Sequence, residues 1–182
     1  MDTSAINSQA VTTEGGFHFG DPNAPVKVVE YINLRCPYSK MWWENSAAVL
    51  DEYERNGQVE RIVKHFDKEK PGLDKGNVLH SYLDYSNHEQ ARKDIDHYVA
   101  HMDEWGNLTK EDVARYAEDK RNATRQNNTK ESEAIVNETV EANVKFVPTV
   151  VIGSHIFDEN ISDEELRKII EEELSRNQTA GS

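Results

Sequence analysis

The stretch VKVVEYINLRCPYSK, residues 26–40, decides the fold. Its first part, VKVVEYINL, is dense in β-branched and apolar residues and predicts a buried strand over 26–34. It runs without a spacer into RCPYSKMWWENSAAVLDEYERNG. Pro37 there suits a first helical position and Gly57 a helix stop. QVERIVKHF follows as a second strand. The order strand, helix, strand is a βαβ unit, and Cys36 stands where the first strand hands over to the helix.

Outward from that unit the texture changes twice. Residues 1–16 are polar and are expected to form a loose tail, and FHFGDPNAPV then offers a short strand and a turn with Pro22 and Pro25. From about Pro71 to Asn143 the apolar spacing is helical and strand signals are lacking, which predicts three or four helices. Thr109 and Asp112 mark one helix start there. VPTVVIGSHIF returns to β, as two short strands about Gly153-Ser154. SDEELRKIIEEEL closes with a helix capped by Ser162 and Glu165. The division expected is a core of 17–70 with 144–176, an inserted helical subdomain over 71–143, and tails at 1–16 and 177–182.

The chain has 182 residues, with 34 Asp and Glu against 21 Lys and Arg, a formal charge of −13. That balance argues against nucleic acid and anionic membrane as partners, since both require a basic surplus. No apolar run approaches a membrane span. MDTSAINSQAVTTEGG has neither the basic nor the apolar region of a secretory signal, so the expected compartment is the cytoplasm, or an extracytoplasmic one if a leader has been removed. A single cysteine rules out an internal disulfide and any cysteine-based zinc site.

A cysteine at a helix N-terminus faces unpaired backbone N–H groups and the positive end of the helix dipole. Both favour the thiolate, which is the nucleophile. Arg35 and Lys40 add charge nearby in sequence, and the Ser39 hydroxyl is placed to donate to sulfur. Free cysteine is also among the most buried residue types, so the residues alone leave an inert buried thiol as the alternative.

Context favours the active-site reading. GDPNAPVKVVEYINLRCPYS resembles the lead-in strand and active-site motif of the DsbA-like thiol–disulfide oxidoreductases, and FVPTVVIG resembles their cis-proline segment. The helical stretch between them is similar to that family's insertion into a thioredoxin fold. The resemblance runs from about Gly20 to Leu174. It implies an α/β fold, a thioredoxin-like mixed sheet flanked by helices. It makes Cys36 the attacking nucleophile and Pro37 and Tyr38 the dipeptide that tunes potential. Pro148 becomes the cis-proline beside the site, and Val147 the residue whose backbone pairs with a bound peptide. Glu30 falls where the family holds a buried acid, with Lys64 on the next strand as its expected partner.

Ser39 departs from the family's dithiol pattern. Exchange proceeds through a mixed disulfide that a second thiol must cut, and serine cannot cut it. Three readings stay open. The protein is a monothiol enzyme resolved by an outside thiol or by the substrate's own, as an isomerase permits. Alternatively, Ser39 replaces a cysteine to trap the mixed disulfide. Or the fold serves as a redox-inactive peptide-binding module. The first is the expectation: exchange on protein substrates by a monomer, with a small thiol or redox protein as partner and no metal or organic cofactor.

Other constellations carry less. His97 and His101 stand four apart, with Asp94 and Glu104 near the same face, but no further convergent ligand is evident. Of Trp42 and Trp43, one is expected in the core and the other at the junction with the insertion. Tyr82, Tyr85, Tyr98 and Trp105 have the spacing of helix-core packing. There is no phosphate loop and no Gly-x-Ser-x-Gly elbow.

Overall fold

A computed structural model describes residues 1–180. The strands are β1 (Phe17–Phe19), β2 (Val26–Ile32), β3 (Val59–His65), β4 (Thr149–Ile152) and β5 (His155–Phe157). They form one sheet in the order β1-β3-β2-β4-β5. β2 and β3 run parallel; the β1–β3, β2–β4 and β4–β5 pairs are antiparallel. The parallel crossover is α1 (Pro37–Arg55), with Pro37 in its first turn and Gly57, at φ +72°, just past its end.

The region between β3 and β4 holds α2 (Asp74–His80), α3 (His88–Ala100), the single turn α4 (Met102–Trp105), α5 (Lys110–Arg121) and α6 (Thr129–Ala142). α7 (Asp163–Ala180) closes the chain. Both capping patterns form: Thr109 Oγ1 accepts the Asp112 N–H at 3.2 Å, and Ser162 Oγ accepts the Glu165 N–H at 3.1 Å.

Period-two alternation divides the sheet between two helical layers. Val26, Val28, Ile32, Val63, Val150 and Ile152 face α1, α7 and α3 in one large buried cluster. Ile95, Tyr98, Trp105 and Val113 of the insertion belong to that same cluster. Most of the insertion therefore extends the sheet's core and has no separate core. The opposite face carries a smaller cluster of Val29, Tyr31, Ile62 and Val151 with Ala142 and Val144. α6 thus covers the sheet directly.

Two boundary expectations need correction. Residues 1–16 are tied to the domain: the Asn7 N–H donates to Ala142 O at 2.8 Å, and Lys64 Nζ donates to Thr12 O at 2.8 Å. The polar composition of this segment matches its use as a hydrogen-bonding strap over the second face. At the other end α7 continues through Ala180, beyond the helix expected to stop near Leu174; the rest of the expected 177–182 tail, residues 181–182, lies outside the described residues. Among the described residues no helix is long and apolar enough to cross a membrane.

Candidate active site

Cys36 is the N-cap residue of α1, in extended backbone at φ −76° and ψ 120°. It is 6 % exposed, so the residue is almost wholly buried. The first-turn amides of α1 converge there without backbone acceptors, as at any helix start. Sγ donates to Val147 O at 3.4 Å, across 111 residues of chain. The Val147–Pro148 peptide is cis. The sheet explains the meeting. β2 and β4 are antiparallel neighbours, with Tyr31 opposite Thr149, so the end of β2 and the start of β4 emerge side by side.

The loop into α1 is fully bonded. Ser39 Oγ accepts the Asn33 N–H at 3.2 Å, Asn33 Oδ1 accepts the Arg35 N–H at 2.9 Å, and Asn33 O accepts the Cys36 N–H at 3.0 Å. Ser39 is buried and acts as a brace for the loop. α2 lies hard against the same residues. A Cβ on Gly76 would come within 2.0 Å of Asn33 Oδ1, so only glycine permits this approach. Asn33 Nδ2 also donates to Asn77 Oδ1 at 2.8 Å.

The cations expected beside sulfur are directed elsewhere. Arg35 Nε donates to Gly106 O at 2.8 Å, so its charge caps the C-terminal end of α4. Lys40 Nζ donates to Val99 O at 2.7 Å in α3. The ammonium that does sense Cys36 belongs to Lys68. Burial and the neighbouring Lys70 push the Lys68 pKa below its usual value, while the charge of Cys36 opposes that shift. Lys68 Nζ also donates to Lys145 O and lies 5.6 Å from the centre of the Phe146 ring. Nothing in the local sequence of Lys68 distinguishes it from a solvated loop lysine. Tyr38 (58 % exposed), Met41 and Phe146 (53 % exposed) give the rim an apolar surface.

Glu30 is fully buried, but its partner is not Lys64. Glu30 Oε2 accepts from Arg61 Nε at 2.8 Å, and Oε1 accepts from Arg61 Nη2 and from Trp42 Nε1, both at 2.7 Å. Register is the reason. Glu30 is opposite Val63 and Lys64 opposite Tyr31, so Glu30 and Lys64 project from opposite faces. Burial pulls the Arg61 pKa down, but the charge and hydrogen bonds of Glu30, with the charges of Glu54 and Asp51, outweigh it and the net shift is upward. Lys64 instead donates to Glu138 Oε2 of α6 at 2.6 Å, and Tyr31 Oη donates to the same oxygen at 2.6 Å. Burial lowers the Lys64 pKa, partly offset by Glu138, and raises that of Tyr31.

Trp42 lies in the core above Glu30, and Trp43 Nε1 reaches Asp96 of α3 at 2.8 Å. His97 Nε2 bonds the Tyr116 hydroxyl at 2.9 Å, and its ring stacks on His101. Among the described residues no group of three or more His, Cys, Asp or Glu is arranged to hold a metal.

Comparison with known proteins adds the family. A protein of unknown function from Enterococcus faecalis V583 superposes with a TM-score of 0.92 at 48% identity, covering 94% of this chain and 98% of that one. Wolbachia pipientis alpha-DsbA1 matches at a TM-score of 0.68 and 18% identity, over 91% of this chain and 94% of that one. Oxidised BdbD from Bacillus subtilis matches at 0.65 and 13%, over 88% and 97%. At such identities these two speak for the fold alone. No curated protein matches the sequence. The sequence model of the thioredoxin family (Thioredoxin_4) matches residues 12–172, nearly the whole of the sheet and its helices, and the chain belongs to that family.

Proposed function

We propose that this protein performs thiol–disulfide exchange on protein substrates with Cys36 as its sole nucleophile. The observation that carries the reading is the placement of Sγ at the N-terminus of α1, 3.4 Å from the carbonyl that precedes Pro148, in a chain with no second sulfhydryl. The named thioredoxin-fold neighbours BdbD and DsbA1 lend it support by analogy.

The Cys36 thiolate attacks one sulfur of a substrate disulfide. A Cys36–substrate disulfide forms and the second substrate sulfur leaves as a thiolate. The attacking sulfur stands at the N-terminal end of α1, where the helix dipole is positive. The backbone of Val147 would align the substrate strand, over the rim made by Tyr38, Met41 and Phe146. A thiolate from outside then attacks the adduct, forms its own disulfide with the substrate sulfur, and returns Cys36 as thiolate. Where that thiolate belongs to the substrate, the net reaction is isomerisation. Electrons balance in each exchange, so no cofactor is consumed. A reducing cytoplasm, with its pool of small thiols, suits this chemistry better than net oxidation.

The test is to mix the reduced protein with a scrambled-disulfide substrate and read adducts by intact mass. The expected result is a one-to-one adduct on Cys36 that a small thiol releases, absent in Cys36→Ala. Failure to form the adduct overturns the reading. Peptide binding that persists in Cys36→Ala without any adduct in the parent would make the protein a binding module.

A further inference from the structure

Of the four amides at residues 33–36, three find acceptors within the loop or on α1. The fourth, the Leu34 N–H, donates outward to Nε2 of His80 at 3.2 Å. His80 is the last residue of α2 and is 2 % exposed. Its other nitrogen, Nδ1, lies 2.6 Å from Asp67 Oδ1. We propose that Asp67 and His80 are positioning residues for the nucleophile: Asp67 holds His80 in the Nδ1–H tautomer, which leaves Nε2 free to anchor the loop that delivers Cys36 to α1. This inference rests on Cys36 being the nucleophile.

The tautomer follows from the donors. A backbone amide can only donate, so Nε2 must present its lone pair to Leu34. A neutral imidazole carries one N–H, which is then on Nδ1, and the carboxylate of Asp67 is the acceptor placed to receive it. The surroundings keep the ring in place. The His65 ring lies 4.8 Å away, and neither of its nitrogens has a hydrogen-bond partner among the described residues. Gly76 and Asn77, one turn earlier on α2, press on Asn33 and Arg35. The line Asp67, His80, Leu34 therefore runs from the β3–α2 connection to a point two residues before the thiol. Its outer end is accessible: Asp67 borders a cavity of about 610 Å³ and its side chain is 29 % exposed. That exposure makes Asp67 the residue to change, since replacing buried His80 endangers the fold.

Two readouts test the proposal on the full-length protein. The first is long-range ¹H–¹⁵N spectra of the imidazole with the coupling across the Leu34 N–H···Nε2 hydrogen bond. The second is the rate constant for Cys36 attack on an aromatic disulfide, in which each attack releases one coloured thiolate. The wild type is expected to show Nδ1–H and a measurable coupling. Asp67→Ala is expected to move the proton toward Nε2, abolish the coupling and slow the attack about tenfold, the scale of a small misplacement of reacting groups. Its melting temperature should stay near that of the wild type. Asp67→Asn, which keeps an acceptor for Nδ1–H, should restore both readouts. A wild-type rate in Asp67→Ala overturns the proposal, as does a slowed rate with the coupling intact. A wild type that does not attack the disulfide defeats the reading of Cys36 instead, and an Nε2–H tautomer in the wild type defeats the positioning inference on its own.

Discussion

The two faces of the sheet each bury an acid–base pair, and they do so differently. On the α1 face, Glu30 and Arg61 are 0 % and 1 % exposed and joined by two parallel hydrogen bonds, with Trp42 holding the acid and the Trp43 ring 4.4 Å from the guanidinium. On the α6 face, Lys64 and Glu138 meet through one oxygen shared with Tyr31, beside a cavity of about 500 Å³. The first pair is enclosed by the large core that carries the nucleophile's helix. The second is closed by a strap of N-terminal chain. A fork of donors in a sealed interior ties both charges down, whereas the ammonium of Lys64 has Thr12 to fall back on.

The comparison breaks first at Arg61. Arg61→Met leaves a buried carboxylate without its cation and should cost about 3–5 kcal/mol, read as a lower urea midpoint at unchanged slope. Adding Glu30→Leu should restore most of that loss, because the desolvated charge is then gone. A single Arg61→Met as stable as the wild type would show that the face is not sealed. Glu138→Ala on the other face should cost less, about 1.5–3 kcal/mol, since Lys64 keeps two acceptors on Thr12. Equal losses at the two sites would erase the contrast.

The smallest effect concerns His65, a further titratable group on the sealed face. Burial, and secondarily His80, hold its pKa well below the usual 6.5. As pH falls below about 6.5 the unfolded chain takes up a proton here that the folded chain refuses. Stability is therefore lost on acidification, at up to about 1.4 kcal/mol per pH unit for this group. His65→Leu should flatten the stability–pH curve below about pH 6.5 and leave it unchanged above. A curve that keeps its slope in the variant would place the acid sensitivity elsewhere.

Much of this was legible in the sequence for reasons that can be named. The β-branched run at 26–32 gave β2, Pro37 and Gly57 bounded α1, and the family resemblance implied a buried acid at Glu30. Its partner was not legible. Pairing across a parallel sheet depends on register, and a shift of one residue exchanges Arg61 for a residue on the other face. Arg35 was misplaced for a related reason. Adjacency in sequence to Cys36 says nothing of where a long side chain points, and the end of α4 offered it the Gly106 carbonyl. Lys68 and His80 reach the site only through the fold of the β3–α2 connection and the docking of α2. The strap formed by residues 1–16 has no apolar period to announce it.

The hydrogen bond between Ser39 and the Asn33 amide bears on what could stand at position 39. A cysteine there would bring a resolving sulfur one turn from Cys36. Sulfur is larger than oxygen and a weak acceptor, so the Asn33 N–H would lose a good partner in a site with 3 % exposure. Changing this loop between one thiol and two is thus more than the exchange of one atom. The second sulfur comes with a buried Asn33 amide short of a good acceptor unless another group takes it over.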